Sequence, residues 1–196
     1  MKSFIFLASF SLITITANCQ IDKKYWLVGG TGSFYTYKDN YTTSGQPSIT
    51  GRLTEINLAA NIGYFFIDKF VAGLRPGINS IKSRGLNSAS AGTKEIGFYA
   101  GPFVRYYFLN KDRTFNILVD GTYQIGRYTT FAGNGTLRNA SIFIGPEIFF
   151  NTAVGLEFLL GYQYQKKNIE NGQQGFNDER RGLQISVGFQ IHLTNN

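Results

Sequence analysis

The chain is 196 residues long and carries 19 Lys and Arg against 12 Asp and Glu, for a formal net charge of +7, with 16% aromatic residues, one Cys and one His. One cysteine excludes a disulfide framework and a CxxC redox pair, and the sequence holds no cluster with metal-ligand spacing. A basic balance can signal nucleic-acid binding, but here the basic residues are scattered rather than clustered, and the N-terminus reads as an export signal.

That N-terminus takes the elements in order. Lys2 precedes an apolar run, Phe4 to Ala8, continued by Phe10, Leu12 and Ile13, and a polar, small-residue stretch from Thr14 to Gln20 follows. A charged head, an apolar core and a cleavage region make a secretory signal peptide, residues 1–19, leaving 20–196 as the mature domain. The core is too short for a membrane-spanning helix, which needs roughly 20 apolar residues. Ala17 and Cys19 suit the −3 and −1 positions of cleavage. Lipidation at Cys19 is the rival, and Thr16 and Asn18 fit it poorly. Loss of Lys2 takes the net charge from +7 to +6.

Alternation with period 2 dominates the rest of the chain, and period 2 is the mark of half-buried strands. Eight segments show it: 25–37, 54–66, 70–80, 95–108, 115–126, 140–150, 154–164 and 183–193. In the last, Leu183, Ile185, Val187, Phe189, Ile191 and Leu193 alternate with Gln184, Ser186, Gly188, Gln190 and His192. The first segment is rich in glycine and aromatics, and its outward parity is open. Long polar connections are expected at 38–51, 82–93, 128–139 and 165–181, and short turns at 67–69, 109–113 and 151–152.

A soluble sandwich would alternate as well. Four features favour a transmembrane barrel. Lysines fall at 23, 24, 38, 69, 82, 94, 111, 166 and 167, all read as loops, turns or strand ends, whereas lysine on a lipid face at mid-depth costs roughly 2–4 kcal/mol. The polar parity is built from Gly, Asn, Gln, Tyr and a few unlike charges, as a narrow lumen filled by side chains requires. Aromatics collect near the short turns (Tyr64, Phe66, Phe70, Tyr106, Phe108, Phe115, Phe150), as in an interfacial girdle. The apolar parity runs about 11 residues per strand, roughly 28 Å at the usual tilt. The reading is therefore all-β: an eight-stranded antiparallel up-and-down transmembrane β-barrel preceded by a signal peptide. Pro76, Pro102 and Pro146 fall inside paired strands, where proline removes a ladder hydrogen bond, so bulges are expected there.

Gly101-Pro102-Phe103-Val104-Arg105-Tyr106-Tyr107-Phe108 and its echo Gly145-Pro146-Glu147-Ile148-Phe149-Phe150 resemble the small outer-membrane β-barrel domain family, akin to the OmpA transmembrane domain and OmpX, in its Bacteroidetes form. The terminal Val187 to Leu193 resembles the strand signal read by the barrel-insertion machinery, departing from it by ending on Leu193-Thr194-Asn195-Asn196 rather than on an aromatic. The resemblance implies residence in the outer membrane of a Gram-negative-type cell. Outer-membrane lipid and lipopolysaccharide, the insertion machinery and a surface partner at the loops would then be the contacts, with no nucleic acid.

No enzyme, cofactor or metal site is read. His192 lies near the turn end, away from an outer-leaflet substrate. Gly29-Gly30-Thr31-Gly32 lacks the spacing and the following helix of a nucleotide loop. Tyr35, Tyr37 and Tyr41 fit an interfacial belt better than a ligand site. Arg75, Arg105, Asp120, Glu147 and Glu157 share the inward parity at similar depth. They are expected to form a structural charge network in the lumen, with Arg105 bridging Glu147 and Glu157. The leading function is a non-enzymatic envelope or surface-interaction barrel. A small passive pore and a lipid-modifying enzyme are the alternatives.

Overall fold

The structure, a computed structural model, describes residues 21–41, 49–85, 93–111, 113–130, 133–171 and 174–194. The expected signal peptide and Cys19 lie outside these residues, and so do the side chains of Tyr35, Tyr37 and Tyr41.

Ten strand segments follow one another: β1 (Trp26–Tyr41), β2 (Ile49–Ile67), β3 (Phe70–Leu74), β4 (Gly77–Gly85), β5 (Thr93–Ala100), β6 (Pro102–Tyr107), β7 (Phe115–Thr130), β8 (Gly133–Phe149), β9 (Val154–Asn171) and β10 (Gln174–Leu193). Every pairing is antiparallel, and the ladder returns on itself because β1 pairs with both β2 and β10. Closure removes sheet edges, the condition for a sheet to stand in lipid.

Two of the expected strands are broken in the middle. β3 and β4 are halves of one stave interrupted at Arg75-Pro76, and β5 and β6 are halves of another interrupted at Gly101. Among the described residues the ten segments thus make eight staves. The bulges expected at the prolines are absent. Between Ile62↔Leu74 and Ala59↔Gly77, and between Ala100↔Ile125 and Phe103↔Thr122, both partners advance by three residues. Ile144↔Leu160 and Glu147↔Glu157 likewise keep register around Pro146. Each proline omits a ladder bond without shifting the chain. Neighbouring groups still find partners: Ala60 N donates to Pro76 O at 2.9 Å and Arg75 N to Gly101 O at 2.8 Å.

Alternation sorts each strand into an outer and an inner face. In β10, Leu183 and Ile185 are 79% and 70% exposed, while His192 and Gln190 are fully buried inside. In β1 the open parity resolves to Trp26, Val28 and Phe34 outside and Leu27 inside. Water would disfavour so much apolar surface at roughly 25 cal/mol per Å², and acyl chains remove that cost. The apolar run from Leu183 to Leu193 spans about 25 Å after tilt, the height of such a band. At the turn end the outer aromatics meet edge to face, Trp26 with Tyr64 at 5.1 Å, Tyr64 with Phe66 at 5.3 Å and Tyr106 with Phe108 at 5.2 Å.

The expected long loops are largely strand. β7 runs to Thr130 and β8 starts at Gly133, and β9 runs to Asn171 with β10 starting at Gln174. Residues 38–41, 82–85 and 49–51 are ladder as well. Beyond the bilayer both sheet faces meet water, so polar residues on both parities pair as a ladder yet read as loop. Lysine placement changes with this: Lys38, Lys82, Lys94, Lys166 and Lys167 lie within strands. Lys167 is buried in the lumen, 3% exposed, paired with Glu95 and 5.1 Å over the Tyr128 ring.

One seam is shorter than the rest. β1 pairs with β2 along its whole length to Tyr41↔Ile49, but with β10 only from Trp26↔Leu193 to Gly32↔Val187. Above that rung a bond from Gln184 Nε2 to Ser33 Oγ at 2.6 Å links the two strands.

Candidate functional site: a charged network across the lumen

The staves bring the five expected charges into one buried cluster in the turn-side half of the lumen. Arg105 and Asp120 are opposite on the β6–β7 ladder, and Glu147 and Glu157 are opposite on the β8–β9 ladder. Like charges on one rung repel, so the second pair needs donors from elsewhere in the barrel.

Arg105 supplies them for Glu157. Its Nη1 donates to Glu157 Oε2 at 2.8 Å and its Nε to Asp120 Oδ2 at 3.0 Å. Asp120 is also gripped from the other side: Arg75 Nη1 and Nη2 reach its two oxygens at 2.7 Å each, the fork-on-carboxylate geometry that only Arg offers. Arg75 Nε donates to Asn61 Oδ1 at 2.6 Å, and its guanidinium lies 4.6 Å over the Phe103 ring. Arg105, Asp120, Glu147 and Glu157 are at most 1% exposed. At that burial a charge is tolerable only when paired and hydrogen-bonded.

Glu147 is placed differently from the sequence reading. Arg105 does not bridge it to Glu157. Instead Tyr107 OH donates to Glu147 Oε2 at 2.8 Å, and His192 Nε2 stands 3.0 Å from Oε1. Arg105 touches this branch only through Tyr107 OH, at 3.3 Å. The planar fork of Arg105 is already committed to Asp120 and Glu157.

Two glycines make room for the carboxylates. A Cβ on Gly155 would sit 2.1 Å from Glu147 Oε1, and one on Gly188 would sit 2.2 Å from Glu157 Oε1. Gln190 Nε2 donates to Glu157 Oε1 at 2.9 Å.

Several members escaped sequence reasoning. Tyr107 shares the inward parity of Arg105 two residues on, and that spacing was the available signal. His192, which the polar parity of β10 places in the lumen or at its rim, is fully buried and packed among Phe65, Tyr107 and Phe149 at centroid distances of 5.7, 5.9 and 5.3 Å. Ile21, 1% exposed, closes the turn-side mouth, held by Lys69 N donating to Ile21 O at 2.8 Å. Nothing in the sequence marks it.

Toward the outer end lies a polar cavity of about 50 Å³, lined by Ser33, Asn57, Gln124, Asn139, Gln163 and Gln184 among others. It has room for roughly three to five waters. Glu55 forms the next layer, accepting from Asn79 Nδ2 at 2.7 Å and Asn57 Nδ2 at 3.1 Å. The cluster offers no exposed nucleophile or base, and among the described residues no group of His, Cys, Asp and Glu could hold a metal.

No sequence-family profile matches the chain, and no curated protein sequence matches it. Solved structures do. The outer membrane protein OprG from Pseudomonas aeruginosa is similar over 90% of this chain and 100% of its own, at 14% identity and a TM-score of 0.51. Neisserial surface protein A aligns over 85% of this chain and 96% of its own, at 15% identity and a TM-score of 0.45. The outer membrane protein AlkL, solved in lipid bilayers, aligns over 87% and 88%, at 12% identity and a TM-score of 0.45. With the closed antiparallel ladder, the apolar exterior and the OprG likeness, the chain has the fold of a small outer-membrane β-barrel.

Proposed function

We propose that this chain is a non-enzymatic outer-membrane barrel with a closed lumen, acting at the cell surface in envelope structure or in contacts made by its outer strand ends. The observation that carries this reading is the layer formed by Arg75, Arg105, Asp120 and Glu157, bonded across the lumen between β3–β4, β6, β7 and β9. Below it Phe65, Tyr107, Leu118 and Ile21 are fully buried or nearly so. Filled side-chain layers are what an eight-stranded cross-section holds.

A small passive pore is the second reading, favoured by the polar cavity above the layer. Planar-bilayer recording on the refolded protein separates the two. The closed reading expects no steady unitary conductance in the wild-type protein, and a reproducible step would replace it with the pore. Outer-membrane residence is checked by fractionation together with an unboiled gel, on which the folded barrel migrates apart from its boiled form.

A further inference from the structure

The outward face changes character above the apolar band. On β2, β4 and β5 the outward parity reaches Arg52, Lys82 and Lys94, all exposed. On β7, β8, β9 and β10 it reaches Arg127, Arg138, Lys166 and Arg181. Each cation sits one or two outward positions beyond an apolar or aromatic one: Ile56, Ile78, Ile96, Ile125, Ile142, Tyr164 and Leu183. A basic collar therefore runs around the outer rim. Glu55 and Glu95 turn inward, leaving Glu179, 2.8 Å from Lys166, as the carboxylate on the collar face among the described side chains.

The collar includes like-charge rungs. Lys82 is the direct partner of Lys94 on the β4–β5 ladder. Two ammonium groups on one rung and one face repel, and an anion seated between them removes the penalty. The same ladder carries Ile78↔Phe98 four residues closer to the membrane, about 13 Å down the strand. There the outer wall sinks into an apolar furrow of about 810 Å³ running over Gly30, Gly32, Ala60 and Pro76, walled by Ile78 and Phe98.

A paired cation above an apolar trough has the shape and charge of one class of ligand. We propose that the Lys82–Lys94 rung binds a headgroup phosphate of an outer-leaflet lipid whose acyl chains fill the furrow. The proposal rests on the outer-membrane reading above. Bringing lipid phosphate to adjacent lysines exchanges exposed like-charge repulsion for attraction, expected as about tenfold in affinity for the rung.

The test uses the mature barrel refolded in zwitterionic detergent, with bound lipid counted by native mass spectrometry. The probes are lipid A and the same lipid stripped of its phosphates. Wild type is expected to retain the phosphorylated form at about tenfold lower concentration. The Lys82→Gln/Lys94→Gln double variant should lose that preference. Gly32→Leu should weaken both forms alike by filling the furrow, since a Cβ there meets only Leu58 Cδ2, at 3.4 Å, and Asn57 O, at 3.9 Å. Lys111→Gln, at the turn end, should match wild type. Equal retention of the two forms by wild type, an unchanged preference in the double variant, or full displacement by inorganic phosphate would each overturn the proposal. An unboiled gel checks the fold of each variant, so a chain that never gives the folded band defeats the barrel reading instead.

Discussion

Arg105 and Asp120 face one another on a single rung of the β6–β7 ladder, and Arg105 Nε meets Asp120 Oδ2 at 3.0 Å in the interior of the barrel. The same guanidinium reaches Glu157 on β9 at 2.8 Å, so one side chain ties together strands 52 residues apart in sequence.

Removing Arg105 strands that carboxylate pair. Arg105→Ala is expected to cost about 3–5 kcal/mol, seen as a lower urea midpoint in detergent with Trp26 as the reporter. Arg113→Ala, in an exposed turn, is the control. Adding Glu157→Gln should recover part of the loss, because Glu157 is the carboxylate Arg105 bonds directly. Glu147→Gln should not, since Tyr107 and His192 hold it. A midpoint for Arg105→Ala equal to the control would remove the structural role.

Asp120 is the acceptor for two arginines, and its loss leaves two buried cations. Asp120→Ala should therefore lower the midpoint more than Arg75→Lys. The latter keeps the charge but gives up the two-pronged contact at 2.7 Å and the bond to Asn61. The order of the two midpoints is the readout, and the reverse order would show that the Arg75 fork outweighs the stranded charge.

Gly188 leaves the space that Glu157 occupies. Gly188→Ala puts a methyl about 2.2 Å from Oε1, so the carboxylate must leave Arg105 or the strand must move. A loss of about 1–3 kcal/mol is expected, the scale of overpacking. The Gly188→Ala/Glu157→Gln pair should show strong coupling in a double-mutant cycle. Additive losses would separate the glycine from the network.

The short β1–β10 ladder makes a dynamic prediction. Amides around 33–36 and 183–186 that point at the seam should exchange with deuterium faster than those from Gly32↔Val187 down to Trp26↔Leu193. Hydrogen-exchange mass spectrometry on the refolded barrel reads this. Uniform protection along β10 would mean that the two strands stay zipped to the rim.

The fold was legible because the period-2 code is local. Ile185, Val187 and Phe189 against Gln184, Ser186 and Gly188 state which side meets lipid, whatever the strand pairs with. The lumen charges were legible for the same reason: Arg75, Arg105, Asp120, Glu147 and Glu157 stand on the polar parity at similar depth.

Partnership was not local. That Arg105 serves Asp120 and Glu157 but not Glu147 depends on the angle around the barrel at which β6 faces β9, a property of stagger and closure that no single strand carries. The ends of the strands escaped for a different reason. From 165 to 181 only Ile169 and Phe176 are apolar, so alternation fades, yet Lys166↔Glu179 and Lys167↔Asp178 are rungs of a continuous ladder. The sequence by itself determined alternation, the apolar band and the inward set of charges. Closure of the sheet decided that Arg105 meets Glu157 and that Lys167 meets Glu95, because those contacts join strands that are not neighbours in the ladder.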